Sequence, residues 1–85
     1  MTKKSAQLKS AGVVIRQFRQ AASLSQEELG HTMNVSATYI SLLESGKRYP
    51  SIGTLIRLAE AIGVRPGAML DVIAEREKQK KLSLA

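Results

Sequence analysis

The chain has no cysteine, no tryptophan and a single histidine. Without sulfur it can build no disulfide framework, no thiolate nucleophile and no zinc site of the cysteine type, which fits a reducing compartment. No apolar stretch approaches the roughly 20 residues that a membrane-spanning helix needs. The opening MTKKSAQLKS carries charge with no apolar run behind it, so it does not read as a secretory leader, and a cytoplasmic location is expected. There is no glycine-rich phosphate loop, no metal-ligand spacing, and no nucleophile with a base in reach. Glu27 and Glu28 are neighbours that point about 100° apart on a helix, so they form no acid–base pair. His31 reads as a surface or half-buried residue of a helix. The expectation is therefore a protein that is not an enzyme and carries no metal or cofactor.

Acid is missing from one part of the chain. Residues 1–24 hold Lys3, Lys4, Lys9, Arg16 and Arg19 and not one Asp or Glu. The middle of the chain is nearly balanced, and the last 21 residues carry five cations against three acids, for a net charge of +6. Such a surface suits nucleic acid or an anionic membrane face; equally, it suits plain solubility. At 85 residues a single domain is expected. A chain this short buries only roughly 60–65% of its unfolded surface, so a partner subunit would help its stability.

Strand alternation is also absent, and helical spacing replaces it. Leu8, Ala11, Ile15, Phe18 and Ala22 recur in steps of three and four, which predicts a first helix of about four turns. Ser25 with Glu28 reads as a capping box opening a short second helix, with Leu29 and Met33 inward. Asn34 stands where the chain must leave that helix in the left-handed region. Ser36 caps a third helix with Ile40 and Leu43 as its buried pair. Gly46 and Pro50 then stop it. Ser51 opens a fourth helix through Ile52, Leu55, Ile56, Ala59 and Ile62, stopped by Gly63. A fifth begins at Pro66 and runs through Met69, Leu70 and Ile73. The spacing divides the chain into a basic arm over 1–10, a domain over 11–74 and a charged tail over 75–85 that extends the last helix or frays.

Residues 26–43 form a unit: two short helices, a tight connection centred on Asn34, and Gly30 at the crossing with no side chain to hold the helices apart. These are the requirements of a helix-turn-helix. Its geometry leaves the outer face of the third helix, from Ser36 to Ser45, free for a major groove. The stretch LSQEELGHTMNVSATYISLLESGKRYPSIGTLIRLAEAIGV resembles the Cro-type (XRE) helix-turn-helix DNA-binding family, which includes phage repressors and the controller proteins of restriction-modification systems. The resemblance covers roughly residues 11 to 70 and implies an all-α, compact five-helix bundle of the lambda-repressor-like type.

Residue by residue, the resemblance implies the following. Lys47 and Arg48, in the loop after the third helix, would lie against phosphates. Gln26 would hydrogen-bond a phosphate at the start of the second helix, where free backbone amides favour an anion. Arg19 and Glu44 match a structural ion pair. Ser45 and Tyr39 fall at backbone-touching positions, although a tyrosine ring there could instead pack on the domain edge. The base-reading positions are Ala37, Thr38, Ser41 and Leu42, where many relatives carry arginine or glutamine. Ala37 and Leu42 offer only apolar contact, for which the thymine methyl is the natural partner. Thymine-containing half-sites are therefore expected, with much of the affinity from phosphates and DNA shape. Asn34 and Gly30 stand where relatives often have glycine and alanine.

The functional expectation is a transcriptional regulator that binds double-stranded DNA specifically as a homodimer on a two-fold site. The alternative is a protein-interaction or antitoxin-like module on the same fold. Large apolar anchors on the third helix would favour that alternative, and its exposed residues are small and polar. Helices four and five hold Ile52, Leu55, Ile56, Leu58, Ile62, Val64, Met69, Leu70, Val72 and Ile73, more than one face of a small bundle hides. They are the expected dimer region, against a single core with incidental exposures. The chain leaves little room for a ligand-sensing domain, so control is expected through its own concentration or a separate partner.

Overall fold

A computed structural model of the chain describes residues 8–84, with side chains to residue 80; the first seven residues, most of the expected basic arm, lie outside it. Among the described residues five helices follow one another: α1 (Ala11–Ala21), α2 (Gln26–Met33), α3 (Ala37–Glu44), α4 (Ile52–Ile62) and α5 (Pro66–Leu84).

Local chemistry marks most of the ends. The Ser25 hydroxyl accepts from the Glu28 amide at 2.9 Å while Glu28 Oε1 accepts from the Ser25 amide at 2.8 Å, the reciprocal capping box. Ser36 and Ser51 accept from the amides of Tyr39 and Thr54 at 3.0 and 3.1 Å. Asn34 sits at φ 60, and the amides around it return to the Gly30 and His31 carbonyls, so α2 ends as its sequence implies. The same closure after α1 uses Ser23 at φ 60, a residue with no special tolerance for that region.

The core gathers Val14 and Ile15 of α1, Leu29 and Met33 of α2, Ile40 and Leu43 of α3, Leu55, Leu58 and Ile62 of α4, and Met69 and Ile73 of α5. Each large side chain so buried contributes about 1.5–3 kcal/mol relative to exposure. α1 packs on α3, α4 and α5, while α2 packs on α3 and α4. Gly30 is the crossing point its position suggests. A Cβ there would stand 2.7 Å from the Val35 carbonyl oxygen.

Several details depart from the expected pattern. α1 is shorter than four turns, and Ala22 is exposed at its C-cap while Val14 takes a core place. Ile52 and Ile56 do not face the core of α4; they are 56% and 38% exposed, and Leu58 is buried instead. α5 continues to Leu84, which is the first of the two courses expected for the charged tail. Glu77 on that continuation accepts from the Ser10 amide at 2.6 Å, capping the start of α1 from 67 residues away.

Candidate nucleic-acid interface

α3 divides cleanly. Ile40, Leu43 and Glu44 are buried. At about 100° per residue, Ala37, Thr38, Ser41, Leu42 and Ser45 share an arc of about 140° on the other side. Thr38, Ser41 and Ser45 are exposed on it, and Ala37 and Leu42 are half-buried. Ser36, exposed, stands at its head as the cap.

The loop beyond α3 is tied to the helix by hydrogen bonds. Gly46 takes φ 82, and its amide donates to the Leu43 carbonyl at 3.3 Å. The amides of Lys47 and Arg48 both donate to the Leu42 carbonyl, at 3.0 and 3.1 Å, and the Ser45 hydroxyl adds a bond to it at 3.2 Å. Glycine allows this closure because a side chain at that φ is strained. Both cations, exposed, thus leave the chain directly at the end of the α3 arc. The Arg48 guanidinium lies 5.6 Å from the centre of the Tyr39 ring, which is half-buried against the core edge. A guanidinium over a tyrosine face is attracted by about 0.5–1 kcal/mol at an exposed site. Tyr39 therefore packs and orients Arg48 at once.

Behind α3, Glu44 Oε2 accepts from Arg19 Nε at 2.6 Å, and Glu44 Oε1 accepts from Arg19 Nη2 at 2.9 Å. The third donor, Arg19 Nη1, reaches the Leu24 carbonyl at 2.7 Å. The hydrogen bond to Glu44 raises the Arg19 pKa; burial opposes it, and the attraction of the carboxylate adds to it. Gln26 joins this group through Nε2, 3.0 Å from Glu44 Oε1. An amide nitrogen carries two N–H groups, so one is left for an acceptor outside. A surface cleft of about 440 Å³, lined by Arg16, Arg19, Ser25, Gln26, Glu27 and Ala37, opens beside it.

Three further positions shape the site without a mark in the motif itself. Gly12 lets α1 approach the end of α3 so closely that a Cβ would meet the Leu43 and Glu44 carbonyl oxygens at 2.5 and 2.6 Å. Arg57 of α4 donates through Nη2 to the Met33 carbonyl, where the C-terminal end of α2 favours a cation. Glu77 caps α1. A glycine inside an apolar helical pattern was a usable sign of the first. The other two pair residues far apart in the chain, and no local pattern marks them.

The helix-turn-helix family model matches residues 15–68. Control protein C.BamHI of Bacillus amyloliquefaciens is 38% identical over 61 residues, covering 71% of this chain and 75% of that protein. Among solved structures, the restriction-modification controller protein C.AhdI from Aeromonas hydrophila is 31% identical with a TM-score of 0.67, covering 73% of this chain and 94% of that one. The controller protein C.Esp1396I, solved as a tetramer in complex with its natural 35 base-pair operator, is 25% identical with a TM-score of 0.73, covering 85% of this chain and 95% of that one. With its five helices, its capped recognition unit and these similarities together, the chain belongs to the XRE-type helix-turn-helix family of DNA-binding transcriptional regulators.

Proposed function

We propose that the protein is a cytoplasmic regulator that reads a two-fold-symmetric operator as a homodimer. The observation that carries this reading is the α3 arc. No large apolar side chain stands fully exposed on it, and the amides of Lys47 and Arg48 are both hydrogen-bonded to one carbonyl at its end. Thr38 and Ser41 offer hydrogen bonds to base edges, while Ala37 and Leu42 offer contact to thymine methyls. Ser36 and Ser45, at the two ends of the arc, and Gln26 and Tyr39 beside it take backbone contacts. Lys47 and Arg48 neutralise phosphates, and Arg19 with Glu44 holds α1 against α3 behind them. The solved complex of C.Esp1396I with its operator supports the choice of double-stranded DNA as partner.

Ile52, Ile56 and Val72 support a dimer through α4 and α5: all three are exposed apolar residues in the C-terminal half. A dimer of this fold presents its recognition helices about 34 Å apart, one DNA turn. Selection of a randomised duplex pool on the purified protein, followed by sequencing, tests the whole reading. A two-fold motif with thymine in each half-site is the expected result. A bound but unenriched pool removes specific readout, and no binding moves the function to a protein-interaction module. Sedimentation at high micromolar concentration, with and without duplex, tests the dimer; monomer under both conditions removes it.

A further inference from the structure

Arg16 stands at the margin of the ion pair that its neighbours build. Glu44 is satisfied by three short bonds, two from Arg19 and one from Gln26, at 2.6 to 3.0 Å. Arg16 Nε comes only to 3.9 Å of the same carboxylate, and its side chain remains 60% exposed against 3% for Glu44. The guanidinium is therefore in ion-pair range of a buried carboxylate but lies mostly in solvent, outside the core. At that distance and exposure an ion pair contributes little. Its place is the wall of the cleft that also takes in Gln26, Ser25 and Ala37, the first residue of α3. Ala37 has no side chain that could fill the cleft or reach across it. Among the described residues no Arg16 N–H makes a hydrogen bond, and the guanidinium lines the same cleft as the spare amide N–H of Gln26, at the edge of the α3 arc.

We propose that Arg16 is a DNA-contacting residue, gripping a backbone phosphate in this cleft together with the second N–H of Gln26. The assignment rests on the reading of the protein as a DNA-binding regulator. A planar guanidinium suits a phosphate because two parallel N–H groups meet two oxygens. Glu44 then acts as a positioning residue: by taking one amide N–H of Gln26 it turns the other outward. Glu27 lines the same cleft with a negative charge, so it opposes the bound phosphate. Arg16 and Glu27 therefore have opposite effects on affinity.

The experiment uses the full chain and a duplex taken from the selection described above. Arg16→Ala is expected to weaken binding about tenfold at moderate salt and to flatten the logarithmic salt dependence by roughly 0.9 per subunit. Arg16→Lys keeps that slope, since it keeps the charge. Glu27→Gln binds more tightly than the parent. Ethylation interference gives the decisive reading: with Arg16→Ala, ethylation at one phosphate per half-site ceases to hinder binding while the other sensitive phosphates stay sensitive. Unchanged affinity and slope in Arg16→Ala overturn the proposal. So does weaker binding with an unaltered interference pattern, because that outcome makes Arg16 structural. A parent chain that binds no duplex at all refutes the regulator reading itself, and the proposal falls with it.

Discussion

Arg19 of α1 and Glu44 of α3 meet through two hydrogen bonds of 2.6 and 2.9 Å, both residues less than a tenth exposed. The carboxylate is the meeting point of three elements, because Gln26 of α2 reaches the same oxygen pair. Burying such a pair gains little over a well-packed apolar pair, yet breaking it strands a charge. Glu44→Ala is therefore expected to cost about 3–5 kcal/mol in urea unfolding, while the double variant Arg19→Met with Glu44→Leu costs much less. Equal losses in both would show that the pair is worth its full energy. The raised Arg19 pKa places its contribution below the ordinary guanidinium value, lost only as the pH rises through the folded one. No step in stability from Arg19 is thus expected between about pH 5 and 9.

Two glycines beside α3 should fail differently. Gly12→Ala drives a Cβ into backbone carbonyls, so α1 must shift, at a cost of about 1–3 kcal/mol. Gly46→Ala meets nothing within 4 Å but holds φ 82, a strain of about 1–2 kcal/mol that stays in the loop. Amide spectra should change along α1 in the first variant and only around 45–49 in the second.

Glu77 predicts that the last two turns of α5 matter to a helix at the other end of the chain. Glu77→Gln is expected to lower stability by about 0.3–1 kcal/mol, the usual value of a carboxylate at a helix N-terminus. A chain ending at residue 74 should unfold at lower urea by at least as much. Equal midpoints would mean the contact is idle in solution.

Lys47→Ala with Arg48→Ala should weaken specific and random duplexes alike and flatten the salt dependence by up to roughly two units of slope per subunit. Tyr39→Leu removes the surface under Arg48 while leaving both charges, so affinity should fall with the slope retained. Filter binding from low to moderate salt separates the two cases. Unchanged slope in the double variant would mean the loop faces elsewhere.

Leu42 on the α3 arc should be sensitive to one methyl group. Replacing the facing thymine by deoxyuridine removes about 0.8 kcal/mol of apolar contact, roughly fourfold in affinity. In Leu42→Ala the same replacement should have almost no effect. A parent protein indifferent to every thymine methyl in its site would refute the apolar readout of this face.

The sequence by itself determined the helices and where they stop. Ser25, Ser36 and Ser51 as caps, Asn34, Gly46 and Gly63 as left-handed ends, and Pro66 in a first turn all act within four residues of one another, so each is written in the order of the chain. The helix-turn-helix followed, because its two helices and their crossing glycine are consecutive. Other features only the tertiary structure decided. Whether Ile52 and Ile56 point inward depended on how α4 rolls against α2 and α5, and apolar spacing alone admits more than one roll. That Gln26 shares its amide with Glu44, that Arg16 is left over beside a cleft, and that Glu77 caps α1 depend on residues brought together from 18 to 67 positions apart. Hydrogen bonds and ion pairs at such separations exist only once the core has fixed the helices, and no local pattern encodes them.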